Sequence, residues 1–347
     1  MDQTRNFGVL PDGREVSCIR LADGALSCEV LTWGATLRSL VVPDRNGKPT
    51  DIVLGFDRFE DYIAHDAHFG GTIGRFANRI AGGAFSLCGE DYRLPCNDGD
   101  NHLHGGPDGF DRVLWTIERL DRSAVTLFYR SPDGEMGYPG TMDVRVTYAL
   151  SGGSLAIHYD AVSDRDTLCS LTNHAYWNLA GHDSGNVLRQ VLQLDASSYT
   201  PTDAALIPTG EIAPVSGTPM DFSVPTPIGA RIRQAHKALE LAGGYDHNYI
   251  PDRPDCARAW SDDTGITLCL TTDRPGVQLY TGNFLGSTPP GKGGARYPQF
   301  GGFCLETQAF PDAPHHTAFP SAVLRAGERF ESTTSCTFGI IGKEFGS

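Results

Sequence analysis

The sequence predicts an all-β fold: a large antiparallel β-sandwich with few short helices. Three observations carry that prediction. Short runs alternate apolar and polar residues with period two, turn residues recur along the whole chain, and helical periodicity is nearly absent. Among the 347 residues, 41 glycines and 22 prolines are dispersed instead of collecting in one linker. No βαβ rhythm is visible, which argues against a parallel sheet. No repeat of about 20–50 residues is visible either, so a propeller or solenoid is not expected. With 40% hydrophobic residues and no linker, one domain spanning 1–347 is the expectation.

The elements follow in chain order. Leu26, Cys28 and Val30 alternate ahead of WGATLRSLVVPDRNG, a strand region that ends in a turn. Val144, Val146, Tyr148 and Leu150 alternate with Asp143, Arg145, Thr147 and Ala149. SGGS (151–154) then reverses the chain and Leu155, Ile157 and Tyr159 alternate again, which is a hairpin pattern. ARIRQAHKALELA (230–242) is the only stretch with helical spacing. Ile266, Leu268 and Leu270, then DRPG (273–276), then Val277 and Leu279, predict another hairpin.

Charge narrows the function. The chain carries 28 basic and 42 acidic residues, a formal net charge of −14. Nucleic acid and anionic membrane both require a basic footprint, so neither is an expected partner. The opening MDQTRNFGVLPDGREV is polar and lacks a signal-peptide h-region. No apolar run reaches the roughly 18 residues of a membrane span. Nine scattered cysteines without a C-x-x-C pair fit reduced, mostly buried thiols in a cytoplasmic protein.

Five segments combine polar residues with glycines and aromatics: GRFANRI (74–80), NHLHGG (101–106), LTNHAYWNLAG (171–181), YDHNYI (245–250) and CLETQAFPDAPHH (304–316). His102 and His104 would share a strand face and could chelate a metal; alternatively, one packs or caps a turn and the other faces solvent. His174, among amides and aromatics, suits a general acid or base, and equally suits a core hydrogen bond beneath Trp177. Glu306 lies in an apolar run, where an inward carboxylate must be paired, hydrogen-bonded or used; the opposite strand face would leave it in solvent. Arg79 fits sugar hydroxyls, a carboxylate or a plain surface strand. Asp246 fits an Asx turn. Trp33, Trp115, Trp177 and Trp260 fit sugar-stacking platforms, though core packing is the expectation for most. PPGKGGARYP (289–298) lacks the phosphate-loop spacing and reads as a mobile surface loop. His315 and His316 are adjacent and would point opposite ways on a strand.

Taken in order, these segments resemble the aldose 1-epimerase (galactose mutarotase) family. GRFANRIAGGAFSLCGEDYRL and NDGDNHLHGGPDGFDRVLW are similar to its long N-terminal signature; LTNHAYWNLAG, YDHNY, VQLYTGNF and LETQAFPDA follow in the family's order. The resemblance runs from GREVSCIRLADG to the last strand. It implies a β-sandwich enzyme that interconverts the α and β anomers of free aldohexoses, with a monosaccharide as its small-molecule partner. It implies neither metal nor organic cofactor. By resemblance His174 would be the general acid and Glu306 the general base. Asn78, Arg79, His104, Asp246 and Gln278 would hold sugar hydroxyls, leaving His102 structural. In these roles Glu306 would be ionised and His174 protonated. His315, Cys88 and Cys96 depart from the family pattern, the cysteines as packing substitutions.

Two further readings stay on the same sandwich. A hexose-phosphate 1-epimerase would need a basic cluster, for which Arg75, Lys292 and Arg296 are candidates. A non-catalytic sugar-binding protein would keep the hydroxyl contacts without an acid and base. A glycoside hydrolase would require a carboxylate pair, with Asp246 joining Glu306. The expected oligomeric state is a monomer or homodimer, and the preferred aldose is not legible.

Overall fold

The computed structural model describes residues 3–342, so the expected span of 1–347 runs past it at both ends. Three antiparallel sheets carry the architecture, with short two-stranded ribbons beside them. Strands Thr4–Val9, Glu15–Asp23, Leu26–Leu31, Thr36–Pro43 and Pro49–Asp51 form a consecutive meander. A nine-stranded sheet runs, in spatial order, through Thr116–Leu120, Ala124–Ser131, Met142–Ser151, Ser154–Ser163, Arg329–Ile340, Ile266–Thr272, Asp255–Trp260, Val191–Leu194 and Thr226–Pro227. The third sheet orders Ala213–Pro214, Ala196–Tyr199, Asp246–Pro251, Gly276–Tyr280 and Cys304–Gln308.

Period-two patterning explains why these residues become strands. In Met142–Ser151, Val144, Val146 and Tyr148 are fully buried while the residues between them are half-buried. Each such side chain contributes roughly 1.5–3 kcal/mol by leaving water. The hairpin that follows pairs Ser151 with Ser154 across Gly152 (φ 56°) and Gly153 (φ 83°). A two-residue turn with both central residues left-handed matches the strand twist, and glycine adopts it without a Cβ penalty. Ile19 and Leu40 of the meander, Val146 and Leu268 of the large sheet, and Leu279 and Leu305 of the third sheet join one core. The large sheet is thereby covered by the other two, as in a sandwich.

Three local expectations are corrected. DRPG does not close a hairpin. Ile266–Thr272 is flanked on both edges by Asp255–Trp260 and Arg329–Ile340, whereas Gly276–Tyr280 lies between Asp246–Pro251 and Cys304–Gln308. The segment is a crossover between sheets, tied down by the Thr333 amide donating to Asp273 Oδ2 at 2.9 Å. Period two reports strands but not their partners, which is why the sequence misleads here.

Helix occupies only Lys237–Ala242 of the expected 230–242. The Arg231 guanidinium bonds the Pro219 and Asp221 carbonyls, holding the preceding residues in turns, and only Ala238, Leu239 and Ala242 are buried on the helix. PPGKGGARYP is clamped instead of mobile. Lys292 is 5% exposed, and its Nζ donates to the Arg38 carbonyl (3.0 Å) and Asp51 Oδ2 (2.5 Å). Burial pulls its pKa down while Asp51 pulls it up. Among the described residues, no helix is long and apolar enough to cross a membrane.

Candidate active site

Two of the singled-out segments meet as a short ribbon, Arg79–Ile80 against His102–Leu103. Asn78 (φ 64°) and His104 (φ 54°), at its edge, are both left-handed, a conformation that clusters at functional sites. They lock each other. The His104 amide donates to the Asn78 carbonyl at 3.1 Å, and the Asn78 amide donates to His104 Nδ1 at 3.2 Å. Since Nδ1 accepts, neutral His104 must carry its proton on Nε2. Behind it, a Cβ on Gly105 would lie 1.8 Å from the Gly74 carbonyl oxygen, so the close approach admits only glycine. His102 is spent elsewhere: its ring nitrogens bond the Pro95 carbonyl (2.7 Å) and the Tyr138 hydroxyl (2.8 Å), and burial lowers its pKa to about 4.

His174 follows the ribbon strand Thr172–Asn173, which pairs with Thr72–Ile73. Its amide donates to the Gly71 carbonyl and its carbonyl accepts from the Gly70 amide. Asn173 braces the same turn by donating to the Gly70 carbonyl at 2.7 Å. The imidazole is held against the Tyr176 ring, with centroids 5.0 Å apart.

The third sheet supplies the carboxylates. Register places Gln278 opposite both Asn248 and Glu306, and Tyr280 opposite both Asp246 and Cys304. Side chains at alternate positions share a face, so these two rows lie side by side on one sheet surface. Asp246 is therefore a strand residue and not an Asx turn; its Oδ1 accepts from Gln278 Nε2 at 2.7 Å. Gln278 in turn accepts from Gln308 at 3.2 Å. Gln278, expected as a sugar contact, shares that sheet surface with Glu306 and holds Asp246 through its Nε2 hydrogen bond.

These elements enclose a cleft of about 610 Å³ lined by Asn78, Arg79, His104, His174, Asp246 and Glu306, together with His68, Asp98, Tyr176, Tyr280 and Phe284. His174 Nε2 stands 3.7 Å from Glu306 Oε1, and Glu306 Oε2 is buried without a protein partner among the described residues. Arg79 donates from Nε to Asp98 Oδ2 at 2.7 Å.

Burial sets the charge states. It lowers the His174 pKa to about 3; a proton on His68 would lower it further, while a backbone hydrogen bond and Asp111 oppose the fall. It raises Glu306 well above the ordinary carboxylate range; Asp246 adds to the rise and Arg79 opposes it. Desolvation therefore works against the ionised form of each group taken alone, while their 3.7 Å approach favours opposite charges on the two.

His104, His174 and Glu306 bring ligand atoms within 4.8 Å of one another, a spacing a metal ion could use. The donor set does not suit one. With His104 Nδ1 occupied by the Asn78 amide, Nε2 carries a hydrogen and has no lone pair for a cation. The same N–H suits a hydroxyl oxygen.

Sequence reasoning missed His68 and Asp111. His68 Nδ1 lies 2.7 Å from Asp111 Oδ2, and its ring packs 4.9 Å from that of His104. The histidines of AHDAHFGG gave no signal, and Asp111 stood only as one letter of GFDRVLW. The phosphate candidates lie elsewhere. Arg75 is spent on Ser131 and the Pro132 and Pro139 carbonyls, Lys292 is buried against Asp51, and exposed Arg296 does not line the cleft. His315 and His316 brace the Asp312 turn. Cys88 and Cys96 are exposed free thiols, not packing substitutions, and none of the four tryptophans lines the cleft.

A sequence profile of the aldose 1-epimerase family matches residues 17–337, and the chain belongs to that family. It is 44% identical over 339 residues to the galactose mutarotase of Homo sapiens, covering 96% of this chain and 97% of that one. To the aldose 1-epimerase of Escherichia coli K12 it is 35% identical over 337 residues, covering 94% and 96%. Among solved structures, the GalM/aldose epimerase homologue from C. elegans superposes with a TM-score of 0.87 at 32% identity, covering 94% and 99%. The galactose 1-epimerase of Lactobacillus acidophilus NCFM gives 0.86 at 29% identity, covering 97% and 98%.

Proposed function

We propose that the protein is an aldose 1-epimerase that interconverts the α and β anomers of free aldohexoses such as galactose, with His174 and Glu306 as its acid–base pair. The observation that carries this reading is the 3.7 Å approach of His174 to Glu306 in a cleft lined by hydroxyl-binding groups.

Opening a pyranose requires a proton for the ring oxygen and removal of one from the C1 hydroxyl. Both oxygens sit on the same carbon, so two neighbouring groups serve them together. The pair holds one proton in total. With that proton on His174, His174 protonates the ring oxygen while ionised Glu306 accepts from the C1 hydroxyl, leaving neutral His174, protonated Glu306 and the open aldehyde. After rotation about C1–C2, Glu306 returns its proton to the aldehyde oxygen and His174 recovers its own from the chain hydroxyl. Burial stabilises the neutral His174 and protonated Glu306 of the open-chain stage, and each step runs both ways. Asn78, Arg79, His104 and Asp246 hold the remaining hydroxyls and supply orientation. Free thiols at all nine cysteines support a reducing, cytoplasmic setting.

Polarimetry on freshly dissolved α-galactose and α-glucose tests this. Wild type should speed relaxation far beyond buffer, while His174→Asn and Glu306→Gln should each lose about 10²–10⁴-fold in rate. Bound sugar with unchanged relaxation in wild type would leave a sugar-binding protein instead.

A further inference from the structure

His68 and His104 are two imidazoles on one cleft wall, and their rear partners give them opposite polarity. Behind His104 stands a donor, the Asn78 amide at 3.2 Å, so its Nε2 presents N–H. Behind His68 stands an acceptor, Asp111 Oδ2 at 2.7 Å, to which Nδ1–H donates, so that Nε2 of the neutral ring keeps its lone pair. The other oxygen of Asp111 is buried without a protein partner among the described residues, so the carboxylate serves His68. His68 lines the cleft, and none of the hydrogen bonds found among the described residues engages its Nε2. The two ring centroids lie 4.9 Å apart, close enough for one hydroxyl to bond both at ~2.8 Å each.

We propose that His68 is a further substrate-contact residue of this site, accepting a hydrogen bond from a sugar hydroxyl that His104 simultaneously donates to, with Asp111 as its positioning residue. A hydroxyl is donor and acceptor at once, so this opposed pair recognises it where an ether or a deoxy carbon fails. The inference rests on the epimerase reading for its kinetics but not for its binding.

The test measures KM and kcat by polarimetry, and affinity by calorimetry, for galactose and its monodeoxy analogues. His68→Phe removes the acceptor, His68→Gln restores one through its amide oxygen, and Asp111→Asn donates to Nδ1 and so turns Nε2 into a donor. His68→Phe and Asp111→Asn should raise KM and Kd for galactose about three- to tenfold, with kcat within about twofold. His68→Gln should recover part of the loss. One deoxy sugar, lacking the hydroxyl in question, should show no penalty from either variant. Equal penalties across every deoxy sugar, or loss of kcat with KM unmoved, would overturn the contact. If wild type left mutarotation at the buffer rate, the epimerase reading would fall, and the calorimetric pattern would still decide the contact.

Discussion

Gln278 and Glu306 face each other across adjacent antiparallel strands, yet Glu306 lines the cleft and Gln278 spends its amide on Asp246 at 2.7 Å. The pairing makes Gln278 a positioning residue for the Asp246 carboxylate. Burial raises the Asp246 pKa, while Arg79 and the Gln278 hydrogen bond oppose the rise. Gln278→Met should therefore raise KM about tenfold, the equivalent of ~1.4 kcal/mol, and more steeply as pH falls and Asp246 protonates. Steady-state polarimetry reads this directly. A fall in kcat with unchanged KM would contradict the positioning role.

The pH profile should report a one-proton pair. Folded His174 titrates well below the ordinary imidazole value, at about 3, and Glu306 titrates above the ordinary carboxylate value. Below the first, a second proton sits on His174 and no base remains. Above the second, Glu306 has lost its proton and no acid remains. The acid limb of kcat should thus fall below the ordinary imidazole range, leaving activity unchanged through about pH 6.5. An acid limb centred on that value would refute the assignment, as would a profile with no limb at all.

Gly105→Ala should be severe where Gly99→Ala is mild. Both glycines are left-handed, at φ 85° and 61°, but only at Gly105 does a new Cβ meet backbone, 1.8 Å from the Gly74 oxygen. Gly99 has open space around it. Urea unfolding should show a loss of about 1 kcal/mol at Gly99 and at least ~2 kcal/mol more at Gly105, which would also displace His104 and raise KM. Equal losses would show that φ alone matters.

Lys292→Met should destabilise without touching catalysis. It strips the partner from Asp51 in a largely buried pair, which costs about 3 kcal/mol in the folded state. Denaturant midpoints should drop accordingly, with little dependence on salt because burial limits screening. The folded variant should keep its KM. A changed KM at intact stability would place Lys292 in substrate binding after all.

Legibility in the sequence follows the range of the interaction. His104, His174 and Glu306 stood out because each sits in a short segment whose composition a plain strand would not need, and all three line the cleft. Alternation revealed the Val144–Tyr159 hairpin because its turn and both strands are contiguous. The place of Gln278 depended on register across three strands, which no local pattern encodes. The DRPG crossover failed for the same reason. His68 was invisible because its significance comes from Asp111, 43 residues away, and from a neighbouring ring on yet another segment.

The crossover at Asp273–Gly276 carries a last consequence. It leads the chain from the middle of the large sheet straight into the strand between Asp246 and Glu306. The site's sheet is therefore joined directly to Ile266–Thr272, which pairs with Arg329–Ile340 near the end of the chain. Contacts of such long sequence separation make for slow folding. Recovered activity during refolding should accordingly be a late clock, starting only when both sheets are complete.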